Sequence, residues 1–197
     1  MSHYYSKEVN LASKEETIIF HYRNHDIYFT SDNGVFSKQR IDYGSRVLLD
    51  AIDLNDSTHS LLDVGCGYGT LGISLKTIYS HLKVEMIDIN ERAVGLAQKG
   101  IVNNHLKEIK AYQSDLYGSV EGKFDAIVSN PPIRAGKKVV FEILEKAYDY
   151  LNENGFLMIV IQKKQGAPSA KKKMEEIFGN CTIVTKDKGY YILKSVK

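Results

Sequence analysis

Apolar residues in this chain fall into short continuous runs separated by segments where they recur every three or four positions, and the two patterns alternate. The runs at 61–64, 84–87, 109–112, 124–128 and 156–161 predict strands. Helical spacing predicts helices over 41–52, 70–78, 92–102, 139–151 and 169–178. Before this series, 17–22 and 26–30 read as a β-hairpin around Arg23-Asn24-His25, followed by a loop at Ser31-Asp32-Asn33-Gly34. At the other end, 182–185 and 190–193 read as two antiparallel strands joined through Asp187-Lys188-Gly189.

Strands that alternate with helices predict an α/β fold: a Rossmann-like, mostly parallel sheet with right-handed crossovers and helices on both faces. Two-sided burial explains why the strand runs are continuously apolar rather than alternating. At 197 residues and 43% hydrophobic content, the chain supports one sizeable core. The expected division is a hairpin extension over residues 1–36 and one domain over 37–197.

The start Met1-Ser2-His3-Tyr4-Tyr5 lacks a basic flank followed by an apolar core, and no apolar run is long enough to span a bilayer. A cytoplasmic protein with no membrane partner is expected. Cys66 and Cys181 lack metal-site spacing and read as free thiols, so no metal is expected. The net charge of +2 is unevenly spread, because 134–197 holds thirteen Lys and Arg against seven Asp and Glu. Lys137, Lys138, Lys163, Lys164 and the run Lys171-Lys172-Lys173 could line the path of a polyanion, although a run of lysines is also what the wet face of a helix looks like.

In open α/β sheets the ligand lies beyond the carboxyl ends of the strands. Asp63-Val64-Gly65-Cys66-Gly67-Tyr68-Gly69 follows one strand and opens a helix, so Gly65, Gly67 and Gly69 can bring a ligand close to backbone N–H groups. Asp88, beside Asn90, ends the next strand at a distance from Gly65 that suits an acceptor for ribose hydroxyls. Asp88 could equally cap the helix beginning near Glu91. Asp115 ends the third strand, placed either for an adenine amino group or as an ordinary turn residue.

Asn130-Pro131-Pro132-Ile133 follows the strand at 124–128. Two prolines donate no backbone hydrogen bonds, so the strand must end in a rigid corner. A side-chain amide oxygen and a backbone carbonyl there could grip both hydrogens of a planar NH2 group. The glycine turn lacks the GxGxxG spacing of dinucleotide folds. With the corner, this favours S-adenosylmethionine as the nucleoside ligand and an amine nitrogen as the methyl acceptor.

On these motifs the chain resembles the small-domain class I S-adenosylmethionine-dependent methyltransferases, a family typified by bacterial ribosomal RNA small-subunit methyltransferase C, a guanine-N2 enzyme, with a single-domain archaeal relative. The resemblance runs from Gly34-Val35-Phe36-Ser37 and Ile41-Asp42-Tyr43-Gly44-Ser45 through the glycine turn, Asp88-Ile89-Asn90 and Ser114-Asp115-Leu116-Tyr117. It continues into Asn130-Pro131-Pro132-Ile133-Arg134-Ala135-Gly136-Lys137, Gln162-Lys163-Lys164-Gln165-Gly166 and Lys188-Gly189-Tyr190. It implies a seven-stranded sheet with its last strand antiparallel. It also implies Gly65, Gly67 and Gly69 at the methionine part of the cofactor, Asp88 at the ribose, Asp115 at the adenine, Asp63 ordering the turn, and Phe36 and Asp42 packing over the cofactor.

The expected activity is methylation of an exocyclic nucleobase amine, foremost guanine N2 in ribosomal RNA. Asn130, Pro131, Pro132 and Ile133 form the expected catalytic corner, and Arg134, Lys137 and Lys138 meet the RNA. Only the catalytic half of the bacterial type enzyme is expected here, with the hairpin before it and without that enzyme's extra N-terminal domain. A protein glutamine amide presents the same planar NH2 group, and a non-catalytic cofactor-binding module is the alternative from another class. A monomer or a homodimer fits equally.

Overall fold

The computed structural model describes residues 15–32 and 41–197. The expected boundary at residue 36 lies outside these residues. Strands β1 (Glu16–Tyr22) and β2 (His25–Ser31) pair antiparallel through an Arg23-Asn24 turn in which both residues adopt positive φ, 45° and 64°. That geometry matches the twist of the flanking strands and fixes the hairpin register.

The main sheet contains β3 (Ser60–Val64), β4 (Lys83–Asp88), β5 (Ile109–Gln113), β6 (Phe124–Ser129), β7 (Leu151–Gln162), β8 (Thr182–Asp187) and β9 (Tyr190–Val196), in the order β5-β4-β3-β6-β7-β9-β8. All pairs are parallel except those that β9 makes with β7 and β8. The predicted seven-stranded sheet with an antiparallel last strand is present. Helices α1 (Tyr43–Ala51), α2 (Thr70–Ile78) and α3 (Glu91–Asn103) share one core with the hairpin and one face of the sheet. The other face packs on α4 (Lys137–Tyr150) and α5 (Ala167–Phe178).

Neighbouring residues divide between these cores. Leu61, Met86, Ala126 and Met158 face the first, whereas Leu62, Ile87, Ile127 and Leu157 face the second, and all eight are buried. This period-two division inside continuously apolar runs is the sequence signature of a sheet covered on both sides. The hairpin contributes Ile27 and Phe29, both fully buried, to the first core.

Chain direction across the sheet reverses between β3 and β6. From β3 the chain runs outward to β4 and β5, and β6 returns to lie against the other edge of β3. Loops leaving these two carboxyl ends diverge, and that crevice is the ligand position in open α/β sheets. It lies between the glycine turn and the Pro-Pro corner.

Candidate active site

Three contacts bring the turn and the corner together. Asp63 of β3 pairs in register with Val128 of β6, and the Ser129 hydroxyl donates to the Val64 carbonyl at 2.7 Å in the interior. Beyond the strand ends, a Cβ built on Gly65 would lie 3.8 Å from Cδ of Pro132. The glycine turn and the Pro-Pro corner are therefore neighbours.

Asp88, at the end of β4, organises the turn. Its Oδ2 accepts the Gly67 N–H and its Oδ1 the Asn90 N–H, each at 2.9 Å. A carboxylate offers about four lone-pair sites, so with three backbone N–H groups bearing on it Asp88 can still accept from a ligand hydroxyl. Burial raises its pKa, and the N–H groups of Asn90, Gly67 and Ile89 lower it. Gly67 has φ of 56°, and a Cβ there would meet nothing within 4 Å, so its bare face is open to a ligand. The helix cap belongs to Asn90 rather than Asp88: its side chain accepts the N–H groups of Arg92 and Ala93 at 3.0 and 3.4 Å. Asp115 is exposed, and its side chain makes no hydrogen bond among the described residues. The neighbouring Ser114 N–H donates to the Asp88 carbonyl at 3.0 Å, which brings the end of β5 beside Asp88.

Asp63 is 1% exposed. Its Oδ2 accepts the Gly72 N–H at 2.9 Å, and its Oδ1 has no hydrogen-bond partner. Burial pushes its carboxyl up to about 7, the Gly72 N–H pulls it partly back, and the charge of Asp88 adds to the rise. An unsatisfied acid oxygen beside a turn with an open glycine suits a cationic ligand that carries donors. S-adenosylmethionine, with its ammonium, sulfonium and ribose, fits these residues.

Because the folded pKa of Asp63 exceeds the unfolded value of about 3.9, protonation favours the fold. That contribution is complete below the unfolded value and is lost as pH rises through about 7. Asp63→Asn does not titrate, so its thermal midpoint without ligand should gain on wild type between about pH 4 and about pH 7 and keep a level difference above that. A constant difference across the lower range in a thermal-shift series would contradict the buried-acid assignment.

Asn130 is held from one side. Its Nδ2 donates to Asp42 Oδ1 at 3.0 Å and to Ser45 Oγ at 3.1 Å. Its Oδ1 accepts nothing among the described residues, and neither does the Pro131 carbonyl. Asp42 fixes the amide orientation, since a flipped amide would set its oxygen against the carboxylate. Asp42 serves this clamp while capping α1 through the Ser45 N–H at 3.0 Å. Ser45 carried no motif of its own in the sequence; the only signal was an N-cap pattern, Asp followed three residues later by Ser.

The N-terminus of α1 is in turn fixed to the β8–β9 turn. The Tyr43 hydroxyl donates to Asp187 at 2.5 Å, and Lys188 Nζ lies 4.7 Å from the Tyr43 ring centroid. A Cβ on Gly44 would meet the Tyr190 ring at 2.9 Å, so this approach requires glycine.

Ile133 opens a 3-10 turn (Ile133–Ala135) after the corner and packs against the second core. Arg134, Lys137 and Lys138 are exposed, and none has an acidic partner among the described residues; the same holds for Lys163 and Lys164. Lys171 and Lys173 differ, pairing with Glu175 and Glu145. Tyr68 and Tyr117, which the sequence places near the site, are core residues. Phe36 lies outside the described residues. Cys66 and Cys181 are free, and burial pushes both thiols up.

Residues 26–194 match the family described as methyltransferase small domain. The chain is 49% identical over 197 residues to the uncharacterized protein YbxB of Bacillus subtilis strain 168, covering 99% of this chain and 98% of that one. It is 39% identical over 131 residues to ribosomal RNA small subunit methyltransferase C of Haemophilus influenzae strain PittEE, covering 64% of this chain and 39% of that protein. With the protein of that name from Aliivibrio fischeri strain ES114, identity is 33% over 180 residues, covering 89% and 51% respectively. The chain thus spans about half the length of these two methyltransferases, or less.

Among solved structures, the fold is similar to that of the T. thermophilus 16S rRNA N2 methyltransferase in complex with AdoMet and guanosine. The TM-score is 0.80 at 25% identity, covering 94% of this chain and 50% of that one. One match running from the second hairpin strand into β9 takes in the glycine turn and the Pro-Pro corner, and the chain belongs to the methyltransferase small domain family.

Proposed function

We propose that this chain methylates an exocyclic nucleobase amine in RNA, guanine N2 in ribosomal RNA being the favoured target. The observation that carries this reading is the free Asn130 Oδ1 at a corner beside the glycine turn. The small subunit methyltransferase C relatives act on ribosomal RNA by name, and the T. thermophilus structure contains guanosine. Unpaired cations at Arg134, Lys137 and Lys138 give a polyanion somewhere to bind beside the corner.

S-adenosylmethionine, when bound, supplies an electrophilic methyl group on a sulfonium. Gly65, Gly67 and Gly69 expose the backbone to its methionine part, Asp88 accepts from the ribose, and Asp115 meets the adenine. Phe36 and Asp42 come from the segment proposed to cover it, with Asp42 also holding Asn130. An exocyclic amine is a weak nucleophile because its lone pair is delocalised into the ring. Asn130 Oδ1 and the Pro131 carbonyl accept its two N–H bonds, fix the nitrogen in line, and favour its pyramidal form. Pro132 and Ile133 supply the rigid apolar wall. Removal of a proton before attack is not required; the nitrogen becomes cationic as it is methylated and then loses a proton to these acceptors or to water.

The test is transfer of tritiated methyl from S-adenosylmethionine to total RNA and to protein extract in parallel, with nucleoside mass spectrometry. Label in N2-methylguanosine is the expected result. Label in protein glutamine instead would move the substrate to an amide.

A further inference from the structure

A cavity of about 110 Å³ opens between the 3-10 turn after the corner and the first turn of α5. Its floor is Ile133, Val140 and Ile161, its wall is the Phe141 ring, and Gln165 and Ser169 stand at the polar side. Neither Gln165 nor Ser169 makes a side-chain hydrogen bond among the described residues. Lys137 Nζ lies 4.9 Å and Lys173 Nζ 5.8 Å from the Phe141 centroid, so the ring is flanked by positive charge.

We propose that this cavity receives the nucleobase adjacent to the methylated one, holding a single-stranded RNA by a second base; this rests on the RNA reading above. A water occupies roughly 30 Å³ in the liquid, so the space is several times too large for one solvent molecule and is on the scale of a planar ring. An apolar floor with an aromatic wall takes either face of any base, and unused amide and hydroxyl groups can meet its edge. The unpaired Lys137, Lys163 and Lys164 suit the phosphates on either side.

The methylated base itself belongs elsewhere. Asn130 is clamped to α1 on the first-core face, whereas the cavity lies against α4 and α5 on the second. Ile133 follows Asn130 by three residues, a span of at most about 10 Å of chain. A base held at Asn130 therefore leaves its neighbour within reach of the cavity.

The test is fluorescence anisotropy with a labelled single-stranded RNA heptamer carrying one central guanosine between adenosines, and with copies lacking either flanking base. Wild type should lose about tenfold in affinity when one of those bases is removed, as stacked bases do elsewhere. Ser169→Trp, at an exposed position that can fill the cavity, should weaken the intact heptamer to a similar degree and become insensitive to the missing base. Phe141→Ala should weaken it too, with its folding checked by thermal midpoint.

If both variants bind the intact heptamer as tightly as wild type, or if Ser169→Trp keeps the full penalty for the missing base, the cavity assignment is wrong. If wild type binds S-adenosylmethionine but none of the heptamers, the RNA reading falls and takes the cavity with it.

Discussion

Asn130→Ala should lower methyl transfer by about 10²–10³-fold, the loss seen when one pre-positioned hydrogen-bonding group is removed from a reacting centre, while S-adenosylmethionine affinity stays within about twofold of wild type. The geometry separates these effects. Asn130 makes its hydrogen bonds to Asp42 and Ser45, and the bonds that order the glycine turn come from Asp63 and Asp88. Removing the amide thus takes away the proposed acceptor of the amine and leaves the glycine turn with its two aspartates in place.

Orientation of a reacting pair is worth up to about 7–11 kcal/mol in the best intramolecular cases, so losing half the grip on the nitrogen is well within the predicted range. Single-turnover rates, with calorimetry for the cofactor, check the split. Near-normal turnover would mean that another group holds the amine, and a large loss of cofactor affinity would mean that the corner acts through the glycine turn.

Local features were legible in the sequence because local chemistry decides them. The glycine turn, the strand-ending Asp88 and the Pro-Pro corner each depend on a few neighbouring residues, and all three meet at the β3–β6 crevice. Hidden features depend on distant partners. The sequence predicts a strand over 156–161, whereas β7 already begins at Leu151, because the polar stretch Asn152-Glu153-Asn154-Gly155 reads as a loop. What holds that stretch in the strand, through a bulge where Asn154 takes φ of 64°, is remote. Lys197 donates its N–H to the Gly155 carbonyl, the Asn154 N–H donates to the Lys197 carbonyl, and Asn152 donates to Asp125.

The Asn130 clamp is non-local too, since Asp42 lies 88 positions away along the chain. Nothing near Asn130 announces that its amide nitrogen is already used. Asn90, by contrast, answers a local demand, since a helix needs a cap and its side chain supplies one. The lysine runs divide in the same way. Lys171 and Lys173 pair with acids that helix spacing or helix packing brings alongside, while Lys137 and Lys138 form no ion pair among the described residues, Glu142 on the same helix being taken by Lys146.

Asp88→Ala should raise the dissociation constant for S-adenosylmethionine by about 10–10²-fold, because a hydrogen bond to a charged group contributes about 1.5–3 kcal/mol and the proposed ribose contact would lose its acceptor. The variant also removes the acceptor of the Gly67 N–H and so loosens the turn that meets the methionine part. Asp88→Asn separates the two contributions. Its amide oxygen can still take the Gly67 N–H, but its nitrogen must face the Asn90 N–H, donor against donor, and it offers fewer lone pairs to the ribose. Its affinity should fall between wild type and alanine, with a thermal midpoint closer to wild type. Calorimetry on the three proteins, read beside their thermal midpoints without ligand, decides the matter. If Asp88→Ala bound the cofactor as wild type does, the ribose would have to be held elsewhere and Asp88 would be left as a brace for the glycine turn.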